Sequence, residues 1–220
     1  PVSQADLEIE DEIRQIISSD YANYSLSIIG EEYGETKGES STKLIIDPID
    51  GTKNFIKGLP YFATLLAIEE EGVVTAGLVS APATKERWWA AKGKGSFYNG
   101  QAQQVSNIAK LEESLAMHGS LFGSEASDEP QKVLSLLEKT FRQRGFGDYV
   151  PHMMVAMGLA EFAIDFKLKV WDVAALKIIV EEAGGQYTDT AGTSSIYSGN
   201  IVSSNGLFHN DVVSALDGLC

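Results

Sequence analysis

One nine-residue stretch, DPIDGTKNF at 47 to 55, constrains this chain more than any other part of its sequence. It directly follows Leu44-Ile45-Ile46, an apolar run that is typical of a buried strand. Two carboxylates, Asp47 and Asp50, therefore stand where packing does not explain them, because buried carboxylates are costly unless they are paired or bind a metal ion. Since proline cannot donate to a sheet ladder, we expect the strand to end at Pro48.

The turn after this strand favours a metal site beside a phosphate site. We expect both carboxylates to face a common space, with the carbonyl of Ile49 released from the ladder; carboxylate and carbonyl oxygens are the ligands that Mg²⁺ prefers. Gly51-Thr52 then allows a close turn into a helix whose first amides lack internal partners, and such amides bind phosphate oxygens. For the Asp-Gly dipeptide alone, an ordinary turn capped by Thr52 is the alternative.

Two more acidic elements could complete such a site. Gly30-Glu31-Glu32 follows the apolar run Leu26 to Ile29, and Asp172 begins a predicted helix that runs to Ala183 and stops at Gly184-Gly185. Taken alone, a Gly-Glu-Glu loop is usually solvated surface, and an aspartate at a helix start is usually a cap. The two acidic elements become candidate parts of a metal site only because they occur together with Asp47 and Asp50.

Composition limits the kinds of partner that this chain can bind. The net charge of −14 argues against broad binding to nucleic acids or anionic membranes, which require a positive surface. No stretch approaches the roughly 20 apolar residues of a membrane span, and Pro1 to Asp6 lack the layout of a signal peptide. The single cysteine, Cys220, excludes an internal disulfide and fits a reducing compartment. We therefore expect a soluble, cytoplasmic protein that binds neither nucleic acid nor membrane.

Apolar periodicity divides the chain near residue 110. We expect an N-terminal α+β half (1–110) that carries the acidic motifs, a C-terminal α/β half (111–220), and one unit with the site between them. The predicted elements are an amphipathic helix from Asp6 to Ile17, an exposed loop from Tyr33 to Thr42, a strand meander from Phe62 to Ala91, a helix from Glu129 to Arg144, a helix near Pro151 to Gly158 and a strand from Glu161 to Asp165.

The acidic motifs resemble three signatures of the inositol monophosphatase superfamily, in order and in spacing. The matching segments are GEE at 30 to 32, DPIDGTKNF at 47 to 55 and WDVAA at 171 to 175, and the resemblance covers essentially the whole chain. It implies a fold of the α+β or α/β class, the layered αβαβα sandwich of the inositol monophosphatase and fructose-1,6-bisphosphatase type. PVSQAD at 1 to 6 is similar to a segment that usually follows an N-terminal helix, which this sequence does not include.

The resemblance also implies a magnesium-dependent phosphatase with two or three Mg²⁺ ions, inhibition by lithium and a homodimer. The metal ligands that it implies are Glu31, Asp47, the carbonyl of Ile49, Asp50 and Asp172. Thr52, paired with Glu31, would orient and deprotonate the attacking water, so that Glu31, Asp47 and Thr52 form the catalytic set. The amides of Gly51 and Thr52 would hold the phosphate, and Glu32 would support the metal ligands from outside their shell.

Within the superfamily the chain is most similar to the histidinol-phosphate phosphatase group. The similar segments are DGTKNFIKGLPYF at 50 to 62, ERWWAA at 86 to 91 and GFGDYVPHMMVAMG at 145 to 158. In inositol-directed relatives we expect a small neutral residue in place of Asp148. Histidinol phosphate carries an ammonium and an imidazole, and Asp148, aided by Asp165, could pair with one of these cations. The alternative is that Asp148 caps the helix that begins near Pro151.

Other functions remain open from the sequence. An inositol-1-monophosphatase, or a broad sugar or nucleotide monophosphatase, would use the same metal ligands on another small phosphate ester. A protein that keeps this fold but acts only by binding a macromolecule is a further alternative, which the intact set of carboxylates disfavours.

Overall fold

The computed structural model describes residues 2–216 and 218 of the chain. Pro1 and Cys220, the cysteine on which the compartment prediction depends, lie outside the described residues. Within the described part, no helix is long and apolar enough to cross a membrane.

The first half of the chain builds an eight-stranded sheet. Its strands are β1 (Ser27–Gly30), β2 (Gly34–Thr36), β3 (Thr42–Asp50), β4 (Ala63–Glu70), β5 (Val73–Ala81), β6 (Glu86–Ala91), β7 (Gly95–Tyr98) and β8 (Gln101–Ala102). They lie in the order β2-β1-β3-β4-β5-β6-β7-β8, with β1 and β3 parallel and the other neighbours antiparallel. The predicted meander is therefore confirmed. Helix α1 (Gln4–Asp20) precedes this sheet, and α2 (Thr52–Lys57) follows β3.

The second half builds a five-stranded mixed sheet. In chain order its elements are β9 (Leu115–His118), α3 (Pro130–Leu137), β10 (Arg142–Gly145), α4 (Tyr149–Ala156), β11 (Phe162–Asp165), α5 (Val170–Glu182), β12 (Gln186–Asp189), β13 (Ile201–Ser204) and α6 (His209–Ala215). The strand order is β10-β9-β11-β13-β12, parallel among the first three and antiparallel from β11 onward. The predicted change in organisation near residue 110 falls between the two sheets.

Alternating side chains stack these elements into five layers. On β3, Ile46 packs with Ile13 of α1, whereas Ile45 faces the opposite side and joins the core that contains Ile179 of α5. On β11, Ile164 packs in the cluster that holds Leu136 of α3 and residues of α6. The layers are therefore α1, the large sheet, α4 with α5, the small sheet, and α3 with α6, which confirms the predicted αβαβα fold class.

Strand β3 does not end at Pro48, so that prediction is wrong. The ladder with β4 shifts its register between Asp47 and Asp50, which pair with Leu65 and Ala63 respectively. This irregularity relieves Pro48 of the donor role that it cannot play, and the Pro48 carbonyl instead accepts a 2.8 Å hydrogen bond from the Thr64 hydroxyl. The bulge, rather than the end of a strand, sets the directions of the Asp47 and Asp50 side chains.

Two other predicted elements differ from the structure. The helix expected from Glu129 to Arg144 ends at Leu137, and its last three residues belong to β10, which pairs in parallel with β9. Phe141, which lies within the predicted helix, is 70% exposed. The segment expected to be an exposed loop contains the short strand β2, paired with β1 and exposed throughout. In both places pairing to an available sheet edge overrides the local pattern.

Candidate active site

The site lies where β3 meets the first turn of α5. Side chains alternate along β3, so Asp47 follows Ile45 onto the face that packs toward α5. Asp172 is the third residue of α5, and its carboxylate accepts a 2.6 Å hydrogen bond from the Lys169 amide just before the helix. This hydrogen bond orients Asp172 at the helix start. Two elements about 120 residues apart in sequence thus bring their carboxylates together.

Asp47, Asp50 and Asp172 form a cluster that can hold a metal ion. One carboxylate oxygen from each lies within 4.8 Å of the others. Asp47 is 1% exposed, and its Oδ1 has no hydrogen-bond partner among the described residues. When it is ionised, an unpaired buried carboxylate beside two more carboxylates needs a counter-charge, and a hard cation bound by oxygen supplies one. The residues present therefore fit a divalent metal.

Burial and mutual repulsion disfavour ionisation of these carboxylates in the metal-free protein. Burial raises the pKa of Asp47 well above its usual range, and the charges of Asp50 and Asp172 add to the effect. The pKa of Asp50 is raised by burial and by the Asp148 carboxylate. Burial raises the pKa of Asp172 to about 6, although the Lys169 amide favours its ionised form. A bound cation would reverse these shifts by stabilising every ionised ligand.

Glu31, Ile49 and Thr52 line the same cavity, which has a volume of about 450 Å³. Glu31 is outside the tight cluster of three aspartates, but burial and the charge of Asp172 raise its pKa to about 7. The Thr52 hydroxyl donates a 3.0 Å hydrogen bond to the carbonyl of Ile49. The structure therefore brings the predicted carbonyl ligand and the predicted water-orienting hydroxyl into direct contact.

Gly51 and Thr52 place the start of α2 at this cavity. Gly51 has φ = 82°, a left-handed conformation that favours glycine, and it precedes the first helical residue. The amides of Asn54 and Phe55 donate to the Gly51 carbonyl, so the helical hydrogen bonds begin after Gly51 and Thr52. The predicted phosphate-binding amides thus precede the bonded part of the helix.

Asp148 and Asp165 line the same cavity. Asp148 occupies the position before α4, yet its side chain does not cap that helix; the Tyr149 amide donates instead to Asp50, at 2.6 Å. Asp148 accepts a 2.7 Å hydrogen bond from the side-chain amide of Asn54. Burial raises the pKa of Asp165 to about 7. The geometry thus argues against the capping alternative for Asp148.

One predicted residue lies outside the cavity lining, and three residues at or near the cavity were not predicted. Glu32 is not part of the cavity lining, and its amide donates 2.8 Å to Glu10, so its supporting role stays a prediction. Sequence reasoning missed Asp6, a fully buried carboxylate that lies 3.4 Å from the Thr52 hydroxyl. It also gave no role to Asn54 or Glu125, both of which line the cavity. An acid in the first turn of a helix carries no signal that separates Asp6 from a cap.

Comparison with known proteins decides the family. Residues 1–218 match the model of the inositol monophosphatase family. The chain belongs to that family. A histidinol-phosphatase of Mycobacterium tuberculosis is 37% identical to this family member over 222 residues, which cover 99% of this chain and 85% of that protein. A fructose-1,6-bisphosphatase/inositol-1-monophosphatase of Thermotoga maritima is 39% identical over 217 residues, covering 97% and 80%.

A solved structure shows the same fold. The crystal structure of the extragenic suppressor protein suhB from Bartonella henselae matches this inositol monophosphatase family member with a TM-score of 0.87 and 31% identity, over 97% of this chain and 87% of that one. The resemblance stated from the motifs is confirmed, and the chain is a phosphatase of this family. Metal dependence fits the family and the cluster of three aspartates.

Proposed function

We propose that this chain hydrolyses histidinol phosphate to histidinol and inorganic phosphate, using two or three Mg²⁺ ions. The observation that carries the choice of substrate is the pair of carboxylates, Asp148 and Asp165, which line the same cavity as the aspartate cluster. A cation on the alcohol part of the substrate would form a charge-assisted contact there, which a neutral ring cannot offer. The name of the Mycobacterium tuberculosis relative supports the same substrate.

The proposed metal ligands are Glu31, Asp47, the Ile49 carbonyl, Asp50 and Asp172. When bound, the ions would neutralise the phosphate, activate a water molecule and stabilise the charge of the leaving alcohol. Asp47, Asp50 and Asp172 are already gathered, and the first two are buried, so they need little reorganisation to hold cations. The negative net charge of the chain is then no obstacle to an anionic substrate, because the ions would supply positive charge locally.

The chain's own groups would position the water and the phosphate. Thr52 would orient the attacking water, and Glu31 would take its proton. The water oxygen forms the new bond to phosphorus as the ester oxygen leaves. The amides of Gly51 and Thr52 would hold phosphoryl oxygens.

A substrate panel tests this proposal. With Mg²⁺ present, we expect the purified protein to hydrolyse histidinol phosphate at least about tenfold faster, by kcat/KM, than inositol 1-phosphate or a sugar phosphate, as one charge-assisted contact would give. Asp148→Asn should lower kcat/KM for histidinol phosphate more than for the neutral esters. Asp211→Asn makes the same change on α6, outside the cavity lining, and serves as the matched control. Comparable rates for all esters would overturn the substrate assignment.

The remaining family expectations are part of the same proposal. We propose a cytoplasmic homodimer that lithium inhibits, testable by sedimentation of the purified protein and by a lithium titration of its phosphatase activity. A purely macromolecule-binding role is disfavoured because the full set of predicted metal ligands lines one cavity. A protein that binds no divalent metal and hydrolyses none of the panel would favour that role instead.

A further inference from the structure

Asp148 has a backbone conformation that a non-glycine residue rarely adopts. Its φ is 59° and its ψ is −149°, a region that is populated almost only by glycine. Such a conformation is strained and persists only where the surrounding contacts hold it. The contacts of Asp148 therefore have to be strong, and they identify the residues on which its position depends.

Two hydrogen bonds tie this segment to the DPIDGTKNF stretch. On one side of the strained residue, the Tyr149 amide donates to Asp50 at 2.6 Å. On the other, the side-chain amide of Asn54 donates to Asp148 Oδ2 at 2.7 Å. Among the described residues, Asn54 is the side chain that donates to this carboxylate. Lys53, the adjacent cation, is paired with Glu125 instead.

The Asn54 amide can bind in only one orientation. Its Nδ2 group also donates to the Tyr61 carbonyl at 2.9 Å, so both of its hydrogens are used. A carbonyl and a carboxylate both accept hydrogen bonds, and rotating the amide would turn its oxygen toward two acceptors. Asn54 therefore provides a fixed support for the Asp148 carboxylate.

Gly51 makes room for this arrangement. A Cβ at position 51 would lie 3.0 Å from the Tyr61 carbonyl oxygen, 3.2 Å from Asn54 Nδ2 and 3.3 Å from Asp148 Oδ2. Gly51 also has φ = 82°. The absence of a side chain at position 51 is thus required both by the backbone and by the contact between Asn54 and Asp148.

We propose that Asn54 is a positioning residue for substrate specificity: it holds the Asp148 carboxylate at the alcohol side of the cavity, so that an ammonium-bearing phosphate ester is preferred to a neutral one. This inference rests on the proposed function and deepens it. The phosphate and metal sites need Gly51 and Asp50 but not the Asn54 side chain. Loss of Asn54 should therefore weaken discrimination more than turnover in general.

The test is the ratio of kcat/KM for histidinol phosphate to kcat/KM for inositol 1-phosphate, both with Mg²⁺. Asn54→Asp keeps the size of the side chain but replaces the donor with an acceptor. We expect the ratio to fall about tenfold or more, chiefly through a higher KM for histidinol phosphate, as expected for the loss of a hydrogen bond to a charged group. Asn54→Ser adds no charge and cannot reach both acceptors, so it should give the same fall if Asn54→Asp is poorly folded.

Asn99→Asp is the matched control, because Asn99 lies on the β7–β8 turn outside the cavity, and an aspartate there keeps the oxygen that accepts from the Arg87 amide. Its ratio should stay within about twofold of the wild type, well below the change expected for a lost charged hydrogen bond.

Equal losses on both esters in the Asn54 variants would show a merely structural role and overturn the proposal. A wild-type ratio near one would overturn the proposed substrate and this inference together, whereas a high wild-type ratio that survives in both Asn54 variants would overturn this inference alone.

The strain at Asp148 offers an independent measurement. Asp148→Gly and Asp148→Ala both remove the carboxylate, but only glycine relaxes at φ = 59°. We expect the glycine variant to melt at least about 2–4 °C above the alanine variant, and both variants to lose the preference for histidinol phosphate. Equal melting temperatures would contradict the claim that contacts such as that of Asn54 hold Asp148 in a strained conformation.

Discussion

Two buried carboxylates in this molecule have opposite surroundings. Glu10 on α1 is fully buried and accepts hydrogen bonds from Arg14 Nε at 2.8 Å, the Glu32 amide at 2.8 Å and the Tyr33 amide at 3.3 Å. Asp47 on β3 is as deeply buried, but its neighbours are other carboxylates, and one of its oxygens has no partner among the described residues. Burial alone therefore does not identify a functional acid. The missing counter-charge does, because only Asp47 needs a ligand to compensate it.

The largest effect should follow from Asp47→Asn. We expect kcat/KM to fall by at least about a thousandfold, because several kcal/mol of transition-state stabilisation depend on the bound metal. The melting temperature in EDTA should stay the same or rise, since an uncompensated buried charge is removed. Phosphatase assays over a Mg²⁺ titration, with calorimetry of the metal-free protein, measure both. A variant that keeps more than about a tenth of the activity would contradict a role far larger than one hydrogen bond.

Glu10→Gln removes the other buried charge and should act on stability. Three hydrogen bonds to Glu10 would weaken and Arg14 would lose its counter-charge, so we expect a loss of about 3 kcal/mol in the free energy of unfolding. Denaturant titrations with and without Mg²⁺ should give the same loss. Metal affinity that falls as far as in Asp47→Asn would show that the two carboxylates are not distinct in role.

In the absence of metal, the stability of the folded protein should depend on the ionisation of Asp172 in the aspartate cluster. The pKa of Asp172 is about 6 in the folded protein against a usual value of 3.8, so the folded state binds more protons between these values. The ionised form therefore destabilises the metal-free protein, and stability is lost as the pH rises through about 6.

Asp172→Asn lacks this titration and keeps an acceptor for the Lys169 amide. In EDTA at pH 7 we expect it to be about 2 kcal/mol more stable than the wild type, with the difference vanishing toward pH 4. The free energy of unfolding is measured against pH for both proteins, and the difference between them is taken. This difference cancels the opposite contribution of His152, whose burial lowers its pKa to about 3. A difference that grows on acidification would contradict the sign.

The smallest effect belongs to Arg14→Lys. Lysine keeps the charge near Glu10, but it cannot also reach the Thr36 hydroxyl and the Gly34 carbonyl, which Arg14 contacts at 2.9 Å and 2.6 Å. We expect a loss of about 1 kcal/mol in unfolding free energy. Metal affinity, measured by calorimetric Mg²⁺ titration, should not change. A shift in that affinity would link the Glu10 region to the aspartate cluster.

Local sequence patterns predicted much of the fold. The meander, the helix that ends at Gly184-Gly185 and the acidic turn after Leu44-Ile45-Ile46 follow from periodicity and turn chemistry, which act over a few residues. The helix expected to reach Arg144 failed because its end pairs with β9, and the strand expected to end at Pro48 continues through a bulge. Such pairings depend on partners that are distant in sequence.

The same division applies to the site. Asp47, Asp50 and the flexible Gly51 could be interpreted from nine consecutive residues, since their chemistry is local; the family resemblance added Glu31 and Asp172. Only the folded chain places Asn54 against Asp148, 94 residues away. Only it shows that Glu10 has a cationic partner, whereas one oxygen of Asp47 has no partner among the described residues. A sequence specifies which groups can ionise or donate. Their partners, and hence their energies, depend on contacts that form when distant elements pack together.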